Sequence, residues 1–197
     1  MWETKDLSFV IFLAVVSFVY AISIGQLPNL ITGIIGLNYL FIFGQAIFVG
    51  LGLLLYEGRR WRFFIQSVIV ALLFIPTFEG GIPFDVLARM PIVVANFFLD
   101  LGLNSIYGFF EKGNKMIWWA ILGVNSAIIL LSFFTVLNLY FFYPLELLTL
   151  YVNVVTLLLP VIIIECIIGA YIAYIIYQRV KNIGDRKTEI KYNNCII

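Results

Sequence analysis

Apolar residues fill six long runs of the chain, and short polar segments separate the runs. A helix that crosses a bilayer needs about 20 largely apolar residues. The pattern therefore predicts six transmembrane helices, at residues 7–25, 37–56, 61–78, 91–110, 116–140 and 147–177. The last run is longer than one crossing requires. Pro160 lies inside it, so a kink or a tilt is expected there.

The first run, from Leu7, has the length of a signal peptide as well as that of a membrane helix. The segment before it, MWETKD, is slightly acidic, whereas signal peptides begin with a basic segment. The sequence AIS at Ala21 to Ser23 is also a poor cleavage site. The pattern therefore favours a first helix that is retained in the mature protein.

Lysine and arginine are distributed unequally between the predicted loops. Six crossings place one basic residue, Arg89, on one side, and all the others on the opposite side. Those others are Lys5, Arg59, Arg60, Arg62, Lys112, Lys115, Arg179, Lys181, Arg186, Lys187 and Lys191. Basic loops remain in the cytoplasm. The fold class predicted is thus an all-α polytopic membrane bundle of six helices, with both termini cytoplasmic, in the cell membrane.

Composition supports this fold class and excludes several functions. The chain is 63% hydrophobic and 12% charged, with a mean hydropathy of +1.06, whereas soluble domains carry about 25% charged residues. The net charge of +1 does not indicate a nucleic-acid partner. The chain has no histidine and two cysteines without metal spacing. It also lacks catalytic and nucleotide-binding motifs. We expect no metal, no cofactor and no enzymatic activity.

A single domain covers residues 1–197, and residues 178–197 form a charged cytoplasmic tail. The predicted outer loops include GQLPNLITGIIG and EGGIPFDVLARM. Both are semi-apolar and contain glycine and proline, whereas solvated loops are rich in serine, lysine and glutamate. We expect these loops to fold back over the bundle.

A polar stripe runs through the fourth predicted helix. Asn96, Asp100 and Asn104 are spaced four residues apart and therefore share one helix face. Insertion scales assign about 2.5–3.5 kcal/mol to a central aspartate. Lipid provides no hydrogen-bonding partner for such a group, so this face is expected to point into the bundle. Glu165 is a second carboxylate at membrane depth.

Neither carboxylate has an evident basic partner at its depth, which leaves two hypotheses. The group is either protonated and bonded to an amide, or it binds a cation, a proton or an amine-bearing substrate. Amides are available at Gln45, Gln66, Asn125 and Asn153. The structural interpretation of these amides is helix–helix contact, worth about 0.6 kcal/mol each. The functional interpretation is a substrate site formed by Asp100, Asn96, Asn104, Gln45 and Asn125.

Asp85 and Arg89 are four residues apart in the second outer loop, FDVLARMP. The spacing fits a local pair on a short helix. It also fits a charged lid over the outer mouth of the bundle. The cluster RRWR, Arg59 to Arg62, is typical of a topology determinant that contacts lipid phosphates, and docking of a cytoplasmic partner is the alternative.

Six helices in fewer than 200 residues, with semi-apolar outer loops, resemble the S-components of energy-coupling factor transporters. The segment RMPIVVANFFLDLGLNSIYG is similar to that of some members, in which an entry with arginine and proline precedes a helix with a mid-membrane acid and a small C-terminal turn. The resemblance implies binding of a vitamin-like or other small organic substrate, with a T-component and two ATPases as partners. It further implies a partner surface of small residues on the first helix, at Ala14, Ser17 and Ala21.

Two functions therefore remain open. The first is a substrate-binding membrane protein of transporter type, with its ligand near Asp100. The second is a non-catalytic subunit of a larger membrane complex, for example a respiratory one. A substrate site requires a cavity beside Asp100, Asn96 and Gln45, whereas a structural subunit requires a filled bundle.

Overall fold

A computed structural model describes the backbone of residues 4–78 and 82–193, and the side chains of residues 4, 6–78 and 82–182. These residues form helices and loops, with no strand among them. Residues 1–3, 79–81 and 194–197, including Cys195, lie outside the described residues. The predicted all-helical fold is confirmed for the described chain.

Seven α-helices follow one another along the chain, with short 3-10 and π segments between some of them. They are α1 (Thr4–Tyr20), α2 (Leu27–Thr32), α3 (Ile42–Leu55), α4 (Arg62–Phe74), α5 (Met90–Lys112), α6 (Met116–Phe142) and α7 (Leu145–Asn193). A π segment, Ala21–Gly25, continues α1, and 3-10 segments precede α3 (Leu37–Phe41) and α5 (Leu87–Arg89).

Five helical stretches are long and apolar enough to cross a bilayer, as expected for a multi-pass membrane protein. They are Asp6–Thr32, Leu37–Leu55, Leu87–Lys112, Met116–Phe142 and Leu145–Asn182. The third predicted helix, residues 61–78, differs from the prediction. It forms α4, which has only 13 residues and a length of about 20 Å. Pro76 follows its end and has no N–H with which to continue the helical hydrogen bonds.

Contacts between α1, α4 and α5 define how these helices run. Asp6 pairs with Arg62, and the Phe18 and Phe74 rings lie 5.5 Å apart, so α1 and α4 run in the same direction. α5 runs the opposite way, because its later residue, Asp100, contacts the start of α4 and its preceding Arg89 contacts the end. The basic loops before α4 and after α5 therefore share one end of the bundle, called here the basic end.

α3 packs closely along α7, and both run towards the basic end. A Cβ added at Gly169 would lie 2.6 Å from the Ala46 side chain, and one added at Gly50 would lie 2.8 Å from Ala173. Since such distances are shorter than real contacts, the small residues are what allow these two backbones to approach. α6 runs antiparallel to α3, and buried Trp119, Leu54, Val124 and Leu99 fill the space around it.

Candidate functional site

Asp100 lies against the first turn of α4 and is only 6% exposed. One carboxylate oxygen, Oδ2, accepts a hydrogen bond from the amide of Phe64 at 3.1 Å. The other, Oδ1, accepts one from the side-chain amide of Asn104, and the backbone of Trp61 supplies a further bond. The carboxylate is thus occupied by donors of its own chain.

The sequence of α4 explains why this helix needs a carboxylate from a neighbour. Its N-cap residue is Trp61, which has a left-handed backbone (φ 72°, ψ −3°) and makes no side-chain cap bond. The first amides of a helix lack intrahelical partners and carry a partial positive charge. Asp100 therefore acts as an N-cap of α4 that is supplied from another helix. The partial positive charge at the N-terminus of α4 balances the negative charge of the carboxylate.

A buried arginine also lies in this first turn. Arg62, the first residue of α4, is 4% exposed and forms an ion pair with Asp6 at the start of α1. Arg59 bonds the same Asp6 carboxylate at 3.1 Å. A guanidinium is thus buried at the depth of Asp100, which the sequence did not predict. Together these residues join the start of α1 to the loop before α4.

A small cavity lies beside Asp100, Asn104, Tyr56 and Arg59, with Leu103 and Trp119 on its apolar side. Its volume is about 10 Å³, close to the room needed by one water molecule. Pockets for small organic ligands measure about 300–1,000 Å³. The site can therefore hold one hydrogen-bonding molecule of the size of water in this conformation.

Among the predicted site residues, the structure brings together only Asp100 and Asn104. Asn96 donates to the carbonyl of Ile92 in its own helix at 2.7 Å. Asn125 donates likewise to Ile121 at 2.8 Å, and Gln45 donates to the carbonyl of Ser17 at 2.7 Å. None of these three lines the cavity beside Asp100. Gln45 therefore joins α3 to α1, whereas Asn96 and Asn125 form bonds within their own helices.

Glu165 repeats the arrangement of Asp100 at another helix. Its Oε2 accepts a hydrogen bond from the amide of Phe43, in the first turn of α3, at 3.0 Å. The N-cap residue of α3, Phe41, makes no side-chain cap bond of its own. The next amide, that of Gly44, donates to the hydroxyl of Tyr20 at 3.2 Å. Both carboxylates within the predicted spans thus cap helices that lack a cap of their own.

Arg89 lies at the opposite end of α4 and is 2% exposed. Its guanidinium donates to the carbonyl of Phe74, the last residue of α4, at 3.3 Å and to that of Thr77 at 2.8 Å. These hydrogen bonds of Arg89 are directed to backbone carbonyls at the end of α4. The structure places Arg89 as a C-cap of α4, beneath the surface rather than on a lid.

Asp85 bonds a different partner, the hydroxyl of Tyr143 after α6. It also accepts from the amide of Ala88 at 3.3 Å. The bond from Tyr143 holds the pKa of the Asp85 carboxyl below its usual value. Burial and the same bond raise the pKa of Tyr143 to about 12. This pair ties the loop before α5 to the turn between α6 and α7.

The predicted partner surface on α1 faces the interior of the chain. Ala14 is 0% exposed, and Ser17 and Ala21 are each 5% exposed. The carbonyl of Ser17 accepts the bond from Gln45 of α3. The small residues of this face therefore serve packing of α1 against α3 within the described bundle.

Comparisons with known proteins add no assignment: no protein-family model matches the chain, and neither a curated protein nor a solved structure matches it. Among the described residues, no three His, Cys, Asp or Glu side chains are grouped to hold a metal ion.

Sequence reasoning missed Asp6, Arg62 and Tyr143 as parts of these contacts. One signal was available for Arg62, since it directly precedes an apolar run and therefore lies in the first turn of a helix. No comparable signal marks Asp6 or Tyr143, whose partners are 56 and 58 residues away in sequence.

Proposed function

We propose that the protein is a non-catalytic subunit of a larger membrane complex. One observation carries the proposal: the described bundle is filled where a substrate site was expected. The cavity beside Asp100 has about 10 Å³, and the Asp100 carboxylate is engaged by amides of the chain. The polar residues thus have a structural explanation that requires no ligand.

The proposal includes the topology and location of the chain. In this proposal, α4 and the loop that follows it together form a sixth crossing of the cell membrane. Both termini then lie on the cytoplasmic side. Support comes from the eleven basic residues that six crossings assign to one side, against Arg89 on the other. Further support comes from the exposed apolar side chains of that loop, Phe78, Ile82 and Phe84, each at least 71% exposed.

A substrate-binding component of transporter type, as in energy-coupling factor S-components, is the second candidate. The observation that favours it is the position of the small cavity, beside the two predicted site residues Asp100 and Asn104. An S-component role requires a second conformation in which the cavity opens about thirtyfold to the size of a ligand pocket. A T-component and two ATPases are the partners in that case.

Native mass spectrometry of the tagged protein, extracted gently from its own membrane, separates the two candidates. A complex subunit is expected to carry other polypeptides in fixed stoichiometry and no small organic molecule. A stoichiometric small molecule bound to the wild type and absent from Asp100→Leu would overturn the first proposal in favour of the second. Asn96→Leu is the matched control, because Asn96 bonds only its own helix.

A further inference from the structure

The outer face of α7 carries a polar stripe in its first half. Thr149, Asn153, Thr156 and Pro160 are all exposed, and spacings of three and four residues place them on one side of the helix. The neighbours of the stripe on this face are apolar, with Leu157 79% exposed. A polar stripe therefore interrupts a surface that otherwise suits lipid.

Asn153 differs from the asparagines of α5 and α6. The side chains of Asn96, Asn125 and Asn138 each donate to a carbonyl, at 2.7, 2.8 and 3.0 Å. Within the described residues, the side chain of Asn153 makes no hydrogen bond. Its carboxamide thus offers two donors and an acceptor to whatever covers this face.

The same face presents the backbone carbonyl of Thr156. A helix carbonyl normally accepts from the amide four residues later, and here that residue is Pro160, which has no N–H. The Thr156 hydroxyl is also without a hydrogen bond in the described part of the chain. One surface of α7 therefore combines spare donors at Asn153 with spare acceptors one turn further on.

Aromatic residues on α6 indicate that this stripe lies at membrane depth. Trp118 is 60% exposed near the start of α6, and Tyr140, Phe141 and Phe142 are 59–68% exposed at its end. Tryptophan and tyrosine collect at the two membrane interfaces. The 22 residues from Trp118 to Tyr140 span about 33 Å, close to the thickness of a hydrocarbon core.

α7 begins at Leu145, just after the second aromatic group. Asn153 follows eight residues later, about 12 Å along the helix. Lipid at that depth offers no hydrogen bond to an amide or a carbonyl. A protein surface is therefore the covering that satisfies these groups.

We propose that this face of α7 is covered by the same face of a second copy of the chain. The stripe holds no charged side chain, so it does not select a partner of opposite charge. A carboxamide both donates and accepts, so Asn153 complements itself, or Thr156, across a two-fold axis. Leu157 and Ile164, both exposed on this side, supply the apolar contact around the hydrogen bonds.

Disulfide cross-linking in liposomes tests the geometry. Asn153→Cys is introduced with Cys195→Ser, and Cys166 is left in place because it is fully buried. Oxidation is expected to link two copies through position 153. The matched control is Ile129→Cys, since Ile129 is 67% exposed on α6 and lies outside the stripe. Equal linking at both positions would overturn the proposal.

Dimer fractions measured by single-molecule photobleaching in bilayers test the energetics without a cross-link. The wild type is expected to dimerise, and Asn153→Leu is expected to weaken dimerisation about three- to tenfold, the effect of one or two interhelical hydrogen bonds. Asn125→Leu is the control and should leave the dimer unchanged. A wild type that is monomeric at all protein-to-lipid ratios, or a face that a different protein covers in the native membrane, would overturn the proposal.

Discussion

Arg89 and Asp100 lie eleven residues apart in sequence and bind opposite ends of one neighbouring helix, α4. Asp100 accepts from the first turn of α4, and Arg89 donates to the carbonyls at its end. A negative group at a helix N-terminus and a positive group at its C-terminus both oppose the helix dipole. A helix of 13 residues is thereby held at both ends by α5 and the 3-10 segment directly before it.

Replacement of Asp100 tests its role as a cap. Asp100→Ala removes the acceptor for the amides of α4 and is expected to cost about 1–2 kcal/mol of stability. Asp100→Asn should cost less, because asparagine is also a good cap residue and only the charge is lost. Unfolding in mixed detergent micelles measures both. A larger loss for Asp100→Asn than for Asp100→Ala would contradict the capping role.

Arg89→Met should be among the most destabilising changes in the loop between α4 and α5. It leaves the carbonyls of Phe74 and Thr77 without the guanidinium donors, at a cost of about 2–3 kcal/mol. Arg60→Met is the control, because Arg60 is exposed and surface changes stay within about 0.5 kcal/mol. Equal effects of the two changes on the unfolding midpoint would refute this account of Arg89.

The bond between Tyr143 and Asp85 predicts a particular pH dependence. The pKa of Asp85 is lowered from 3.8, so its contribution to stability is present above pH 3.8 and is lost as the pH falls through the lower folded pKa. The pKa of Tyr143 is raised from 10.0 to about 12, so its contribution is present below pH 10.0 and is lost as the pH rises towards 12.

The measurement compares the melting temperatures of the wild type and Tyr143→Phe across pH. The variant should be less stable by about 1 kcal/mol between pH 5 and 9, and the difference should shrink at both extremes. A difference that is independent of pH would show that the lost hydroxyl does not act through Asp85.

Two glycine substitutions test the packing at the start of α3. A Cβ at Gly44 would lie 2.2 Å from the Tyr20 ring, whereas a Cβ at Gly102 on α5 meets nothing within 4 Å. Gly44→Ala is therefore expected to destabilise by about 1–3 kcal/mol. Gly102→Ala should be neutral or should stabilise by up to about 1 kcal/mol, because alanine favours helix. The melting temperatures of the two variants measure these effects, and equal melting temperatures would contradict this account of the packing at Gly44.

The hydrophobic pattern was enough to predict the helical class and five of the long helices, because lipid imposes a simple length and composition on each. The short helix α4 could not be separated from a full span in this way. Three of the next four residues, Ile75, Pro76 and Phe78, are apolar although the helix has ended at Phe74. Hydropathy records what the residues prefer around them, and it does not record where the backbone stops being helical.

The partners of the carboxylates were harder to predict for a different reason. Spacing placed Asn104 beside Asp100 correctly, since both lie on one helix. The main partners of Asp100 and Glu165 are backbone amides of other helices. Every residue except proline has such an amide, so no residue type in the sequence reveals which one a carboxylate meets. Because these partners are not basic side chains, the positions of lysine and arginine in the sequence do not indicate them.

The shortness of α4 has a consequence for how the chain enters the membrane during synthesis. Translocation machinery recognises an apolar segment as it emerges, and α4 offers about 20 Å of helix with the uncapped ends described above. Its two capping residues, Arg89 and Asp100, are synthesised later. We expect α4 to be retained in the bilayer only after α5 has followed it, so that the two insert as a hairpin. Glycosylation mapping of nascent chains that end at Phe78 or at Lys112 checks this, and stable integration of the shorter chain through α4 would disprove it.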